Sequence, residues 1–359
     1  MMLPTTYAAA LLLLIVSMIC WGSWANTQKL SGKWRFELFY YDFSLGLLLC
    51  AVIAAFTFGQ MRPAELTFSD NLLIAAKRQM AWAVGGGVVF NLANMLLVAA
   101  VAVSGMAVAF PIAIGLALVI GGVSNFILNP QGNPMLLFGG ALLVVVAIVV
   151  DAFAYSAYLE DKTDQAKNAA LQADPRIPKR ASKHAPAPTG AARGIILSVV
   201  SGILMGCFYP MVEIGRQGEI GVAPYGLALL FGGGVLISSL FYIPFFANFP
   251  VTGDPIETRD YFKGTGRQHL LGLLGGAIWM AGGICNFAAA STPAIVQVGP
   301  AVSYALGQGA TLVSALWGLL VWREFKGASQ RVKTLIAVML VLFIAGLGMI
   351  SLAPLHASR

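Results

Sequence analysis

Ten apolar stretches, each about the 20 residues that a helix needs to cross hydrocarbon, follow one another along this chain. They run over 7–28, 36–59, 80–102, 105–128, 134–158, 194–214, 222–247, 269–291, 294–322 and 331–353. Inside a bilayer the backbone must satisfy its own hydrogen bonds, so runs of this length fold as helices. Composition agrees. Hydrophobic residues make up 58% of the chain and charged residues 10%, whereas a soluble domain carries roughly 25% charged residues to cover itself. The net charge of +7 is not a nucleic-acid patch, because its lysines and arginines sit in short segments between apolar runs. The first run, from Tyr7, lacks a basic leader and is followed by nine more, so it reads as a first spanning helix, not a cleaved signal. Cys20, Cys50, Cys207 and Cys285 lie in apolar segments without CxxC spacing and are expected as free packing thiols.

The organisation is bipartite. Residues 159–193 hold Glu160, Asp161, Lys162, Asp164 and Lys167, then a Pro/Ala/Lys tract to Arg193, and read as a flexible linker. Five spans precede it in 1–158 and five follow it in 194–359. The halves resemble each other: Gly86, Gly87 and Pro111 recur as Gly275, Gly276 and Pro300, at a constant offset of 189. Near the half starts, Trp21-Gly22-Ser23-Trp24 corresponds to Met205-Gly206-Cys207-Phe208. An odd number of spans per half requires opposite insertion. The expected fold is therefore an all-α polytopic membrane protein built as two inverted five-helix repeats, with a site between them. With both termini outside, 17 of the 22 basic residues fall on the cytoplasmic side, and this sets the expected orientation with the linker inside. A plasma membrane is the expected location, a bacterial inner membrane foremost.

Polar residues within spans mark a cavity or a packing seam. Ser17, Trp21, Trp24 and Gln28 share a face of the first span, with Asn26 beside it; the third span carries Asn91 and Asn94. Tyr209 lies in the sixth span and Trp279 and Asn286 in the eighth; Gln297, Tyr304, Gln308 and Thr311 form a stripe in the ninth. Amides both donate and accept, and aromatic faces receive flat rings, so these residues are the candidate binders of a small neutral polar solute. Helix-to-helix hydrogen bonding accounts equally for any one of them. Pro111 and Pro300, read as mid-helix breaks, stand beside the stripes. Charge inside spans is sparse. Asp42 and Glu213 are the candidate proton-coupling acids, with Lys29 or Arg35 as a partner for Asp42. Asp151 and Glu324 read as surface-facing. The glycine runs 85–87, 232–234 and 275–276 lie in apolar helices with no Walker-type lysine and do not bind nucleotide. The histidines, His184, His269 and His356, lie in or beside loops, which argues against an enzyme, and neither a metal nor any other cofactor is expected.

Two motifs resemble one family. Trp21-Gly22-Ser23-Trp24, a basic loop and Phe39-Tyr40-Tyr41-Asp42-Phe43 are similar to the start of ureide permeases. Gly307-Gln308-Gly309 and Leu316-Trp317-Gly318-Leu319-Leu320-Val321-Trp322-Arg323-Glu324-Phe325-Lys326 are similar to their end. Bacterial glucose/ribose and rhamnose porters look alike at the same places, within the drug/metabolite transporter superfamily. The resemblance implies ten helices in two inverted repeats and secondary transport, commonly proton-coupled uptake of a nucleobase, ureide or sugar by alternating access. The partners it implies are the solute, protons and lipid, and a monomer suffices. An exporter of the same superfamily is the alternative. Plant ureide permeases resemble one another in a larger central loop with a phosphate-loop-like motif; Lys162–Arg193 has none, so nucleotide regulation is not carried over.

Overall fold

The computed structural model describes residues 2–61, 66–173, 191–251, 253–292 and 298–356. Among them are ten helices long and apolar enough to cross a membrane. In chain order they are α1 Tyr7–Leu30, α2 Phe36–Phe56, α3 Lys77–Ser104, α4 Val108–Leu128, α5 Pro134–Gln165, α6 Ala192–Arg216, α7 Pro224–Asn248, α8 Gly266–Ala290, α9 Pro300–Val321 and α10 Gln330–His356. No strand occurs among the described residues. An even number of crossings brings the two ends to one face, where the Tyr7 hydroxyl donates to the Ser351 carbonyl. The end of α5 and the start of α6 lie at the opposite face, here termed the linker face.

Local chemistry sets the helix ends. Thr6 caps α1 by accepting from the Ala9 N–H, and Thr265 with Gln268 forms a capping box on α8. Proline opens both α7 and α9, where its missing N–H is an orphan anyway. This corrects the expectation for Pro300: it starts α9 and frees no carbonyl within it, whereas Pro111 does lie inside its helix. The helix of α5 also outruns its expected end at 158 and continues as far as Ala173. Residues 159–173 contain neither glycine nor proline and are rich in helix formers, so the helix persists to the neighbourhood of Pro175.

Two crossings depend on glycine. In the α2–α8 contact, a Cβ on Gly276 would stand 1.9 Å from the Phe43 carbonyl oxygen, and one on Gly46 would stand 2.0 Å from that of Leu273. In the α3–α7 contact, a Cβ on Gly87 would stand 2.1 Å from the Phe231 oxygen, and one on Gly234 would stand 2.2 Å from that of Val84. Lipid tails are as apolar as the helices, so close backbone approach supplies the attraction that water would otherwise drive. Around these crossings an aromatic core gathers Phe39, Tyr40, Phe43, Phe90, Phe208, Phe231 and Phe287. A second core joins α5, α9 and α10 through Leu137, Val144, Leu306, Phe343 and Ile350.

α1 and α9 are irregular. Regular winding in α1 ends at Ser23 and resumes at Ala25. In α9 it stops at Gly307 and resumes at Ala310, and the helix finishes in a π-helical turn over Trp317–Val321. Arg323 follows at φ +50°, a left-handed conformation uncommon outside glycine.

Candidate solute cavity

The irregular segments of α1 and α9 face each other along a ladder of side-chain contacts. Ser314 Oγ donates to the Gly22 carbonyl at 2.9 Å, and Trp317 Nε1 donates to Ser23 Oγ at 2.8 Å. One turn further, Trp322 Nε1 donates to Asn26 Oδ1 at 2.6 Å, and Lys29 pairs with Glu324 at 2.5 Å. The Lys29 ammonium also lies 4.2 Å from the Trp322 ring centroid. The three side-chain donors and acceptors on α1, Ser23, Asn26 and Lys29, are spaced i, i+3, i+6 and so share a face. The π turn lets Trp317, Trp322 and Glu324 meet them in step. Gly22, Ser23, Trp317, Trp322 and Glu324 come from the two motifs near opposite ends of the chain, and Asn26, Lys29 and Ser314 adjoin them.

The ladder forms one wall of a cavity of about 560 Å³. The other walls are Phe110 and Pro111 of α4; Asp151, Tyr155 and Tyr158 of α5; and Ile336, Met339 and Phe343 of α10. Lys29 and Glu324, 45% and 44% exposed, stand at its linker-face end. Volumes of about 300–1,000 Å³ are usual for small-molecule sites.

Towards the termini face the packing is dense and hydrogen-bonded. Tyr209 OH donates to Asn286 Oδ1 at 2.5 Å, while Asn286 Nδ2 donates to Ser17 Oγ at 3.3 Å and to the Ser303 carbonyl at 3.0 Å. This ties α6, α8, α1 and α9 together through residues at most 1% exposed. Trp21 stacks on Trp279 with centroids 5.4 Å apart and donates to its carbonyl at 3.0 Å. Tyr304 OH reaches the carbonyls of Ala117 and Met205 at 3.1 and 3.2 Å.

The expected polar residues therefore divide. Asn26 and Thr311 line the cavity. Trp21, Tyr209, Trp279, Asn286 and Tyr304 build the buried layer beside it, and half-buried Trp24 packs on Phe43 at 4.9 Å. Asn94 donates to Tyr40 OH at 3.1 Å. Asn91 binds Val235, Ser238 and Ser239 across the α3–α7 seam. Gln308 caps the first part of α9, and Gln297 falls outside the described residues.

The acids differ from expectation in their partners. Asp42, 2% exposed, receives Tyr261 OH on Oδ1 at 2.6 Å and meets His269 Nδ1 through Oδ2 at 2.8 Å. The expected pairing of Asp42 with Lys29 or Arg35 is replaced: Lys29 is held by Glu324, and Arg35 by Glu37 at 2.8 Å. The α7–α8 loop carries Tyr261 onto the start of α2, and this brings phenol and imidazole nearer than either cation. Burial, reinforced by the hydrogen bond to Asp42, pushes the Tyr261 pKa well up, so this phenol remains a donor. Glu213 is held by Arg216 at 2.6 and 2.8 Å, and Asn129 Nδ2 adds a contact at 3.3 Å. Sequence reasoning passed over Asp151, Tyr155 and Tyr158 as cavity residues. Their i, i+4, i+7 spacing on α5 is the signal that would have found them.

Residues 39–187 match the family model described as Ureide permease. Ureide permease 2 of Arabidopsis thaliana is 24% identical, over 97% of this chain and 97% of its own length. Ureide permease 1 of the same plant is 23% identical over the same shares. Probable ureide permease A3 of Vigna unguiculata is 32% identical over 30% of each chain. A crystal structure at 17% identity covers 98% of this chain and 99% of its own, with a TM-score of 0.58, a likeness of fold. These named relatives are permeases, not enzymes, and the chain is a multi-pass membrane protein similar to them from end to end.

Proposed function

We propose that the chain is a secondary transporter that takes up a small neutral polar solute, a cyclic ureide or nucleobase ahead of a sugar, by proton-coupled alternating access between two inverted five-helix halves. The observation that carries this is the one-sided cavity, lined towards the linker face and backed by the Tyr209–Asn286 layer. Tryptophan and tyrosine faces with one amide suit a flat ring bearing N–H and C=O groups. Similarity to proteins named ureide permeases points the same way.

The glycine crossings support the repeat. Gly87 meets Phe231 as Gly276 meets Phe43, and Gly234 meets Val84 as Gly46 meets Leu273. Exchanging α3 with α8 at an offset of 189, and α2 with α7 at 188, maps one pair of contacts onto the other. Rocking of one half against the other about these crossings would close the linker-face mouth and part the buried layer.

Reconstituted protein should be melted with hydantoin (a cyclic ureide), uracil or glucose present, since a ligand selective for the folded state raises the midpoint. The reading expects hydantoin or uracil to stabilise and to enter proteoliposomes under an acid-outside gradient. Stabilisation by glucose alone would overturn the ureide assignment. A second reading, export of a cationic solute, is favoured by the carboxylate of Asp151 in the cavity wall; uptake of an organic cation into inside-out vesicles would select it.

A further inference from the structure

The two acids buried within the spans, Asp42 and Glu213, are already engaged, and half-buried Asp151 is not. Asp42 is held by Tyr261 and His269, and Glu213 by Arg216 and Asn129. Asp151 has no hydrogen-bond or ion-pair partner among the described residues, and it lines the cavity. We infer that Asp151 carries the coupling proton, exchanging it with the water of the linker-face cavity and sharing that cavity with the solute. The inference rests on the transport reading above and names its coupling group.

The charged and titratable groups around Asp151 leave it no cation. From α1 the cavity receives Lys29, which is committed to Glu324 at 2.5 Å. On its own helix stand Tyr155 and Tyr158, with Lys162 drawn over the Tyr158 ring at 5.3 Å. Beyond these, Glu160 is paired with Arg331 of α10 at 3.8 Å. α4 presents Phe110 and Pro111; α10 presents Ile336, Met339 and Phe343, none of them ionisable. An ionised carboxylate in such walls is sustained by cavity water, and water leaves when the cavity collapses around its mouth. Stranding the charge would then be costly, because a carboxylate without water or a cation in apolar walls loses its solvation unreplaced. Protonation removes the charge. The step is a proton transfer alone: an O–H bond forms on Asp151 as one breaks in a hydronium ion when the opposite face is open, and the reverse returns the proton to the water of the linker-face cavity. The protonated form donates its O–H to a solute carbonyl, so solute and proton meet at one group, and the occupancy of each favours the other.

The test begins with a reading that needs no solute. Dicyclohexylcarbodiimide, an apolar reagent that adds to protonated carboxyl groups, is applied to the full chain in proteoliposomes, and the labelled peptides are mapped by mass spectrometry. Label is expected on Asp151, declining as the pH rises, with Asp42 and Glu213 unlabelled. Label on Asp42 or Glu213 with none on Asp151 overturns the inference, as does a label on Asp151 that does not vary with pH. The second reading uses Asp151→Asn with hydantoin. Uptake driven by a pH gradient should fall by about tenfold, within the usual range of coupling between linked sites, and hydantoin exchange should lose its dependence on pH. Gradient-driven uptake at the wild-type rate overturns the inference. Wild-type vesicles that take up none of hydantoin, uracil or glucose would instead sink the transport reading, with the labelling result standing apart from it.

Discussion

Asp42 illustrates how little a buried charge says until its partners are known. One oxygen takes a phenol and the other an imidazole, 219 and 227 residues away in sequence. The three side chains join α2, the α7–α8 loop and the start of α8 at the linker face. Asp42→Asn keeps the shape but removes the charge, so Tyr261 OH donates to a neutral oxygen and the imidazole must take the tautomer that accepts from the amide. Hydrogen bonds to a charged group are worth about 1.5–3 kcal/mol against about 0.5–1.5 for neutral ones, so the variant should melt a few degrees lower and express less well. Asp151→Asn breaks no such contact and should melt within about a degree of the wild type, because no partner is lost and the amide meets the same cavity water. Size-exclusion profiles after graded heating would check both, and an unshifted Asp42→Asn variant would show the clamp to be dispensable. The sequence showed that Asp42 lies inside a span but not that His269 meets it, since His269 looked like a loop residue at the edge of a helix. Asp151 was hidden in the opposite way. Its distance from the helix end suggested exposure to the interface, and only the burial of α5 against α9 and α10 turns it inward.

At the scale of helices, positions that admit only glycine were more legible than polar positions. The offset of 189 that relates Gly87 to Gly276 needs no coordinates, because a missing side chain has the same consequence wherever it stands. Asparagine has two meanings, seam or site, and sequence cannot choose between them: Asn91 proved to be a seam residue bound to Ser238 and Ser239, while Asn26 faces the cavity. The α1–α9 ladder was out of reach for another reason. Its register depends on the π turn at Trp317–Val321, which shifts every later side chain by one position relative to an α-helical count. The glycine crossings lead to a direct comparison. Gly87→Ala and Gly276→Ala each force a methyl into a carbonyl of the facing helix, and overpacking of this kind costs about 1–3 kcal/mol. Both should lower the melting temperature, and by similar amounts. Gly233→Ala, with open space around its Cβ, is the control and should not. A stable Gly276→Ala beside an unstable Gly87→Ala would break the equivalence of the two crossings.

Over the whole molecule, the fold class followed from run lengths alone, because hydrocarbon leaves a chain of this composition few alternatives. Orientation is a separate question, since the packing of ten helices is the same whichever way they are inserted. The argument for it rests on charge: basic residues resist translocation, and 17 of 22 lie between or at the ends of the apolar runs on the linker's side of the sequence pattern. The cavity adds a functional consequence. It reaches the same face as the linker, so if that face is cytoplasmic, the conformation described here is open inward and the Tyr209–Asn286 layer is the closed outer barrier. A cysteine at Ser182, in the linker, and another at Ser358, near the end of the chain, separate the two insertions. With the native thiols replaced, an impermeant maleimide applied to intact cells should modify the Ser358→Cys variant and leave the Ser182→Cys variant untouched until the membrane is opened. A third cysteine at Ala315, on the cavity wall, should share the protection of Ser182→Cys in the inward-open state and lose it in part when an external solute draws the halves towards the outward-open state. Modification of Ser182→Cys in sealed cells, with Ser358→Cys silent, would reverse the orientation. The cavity would then open outward, and the barrier formed by Tyr209 and Asn286 would face the opposite side of the membrane.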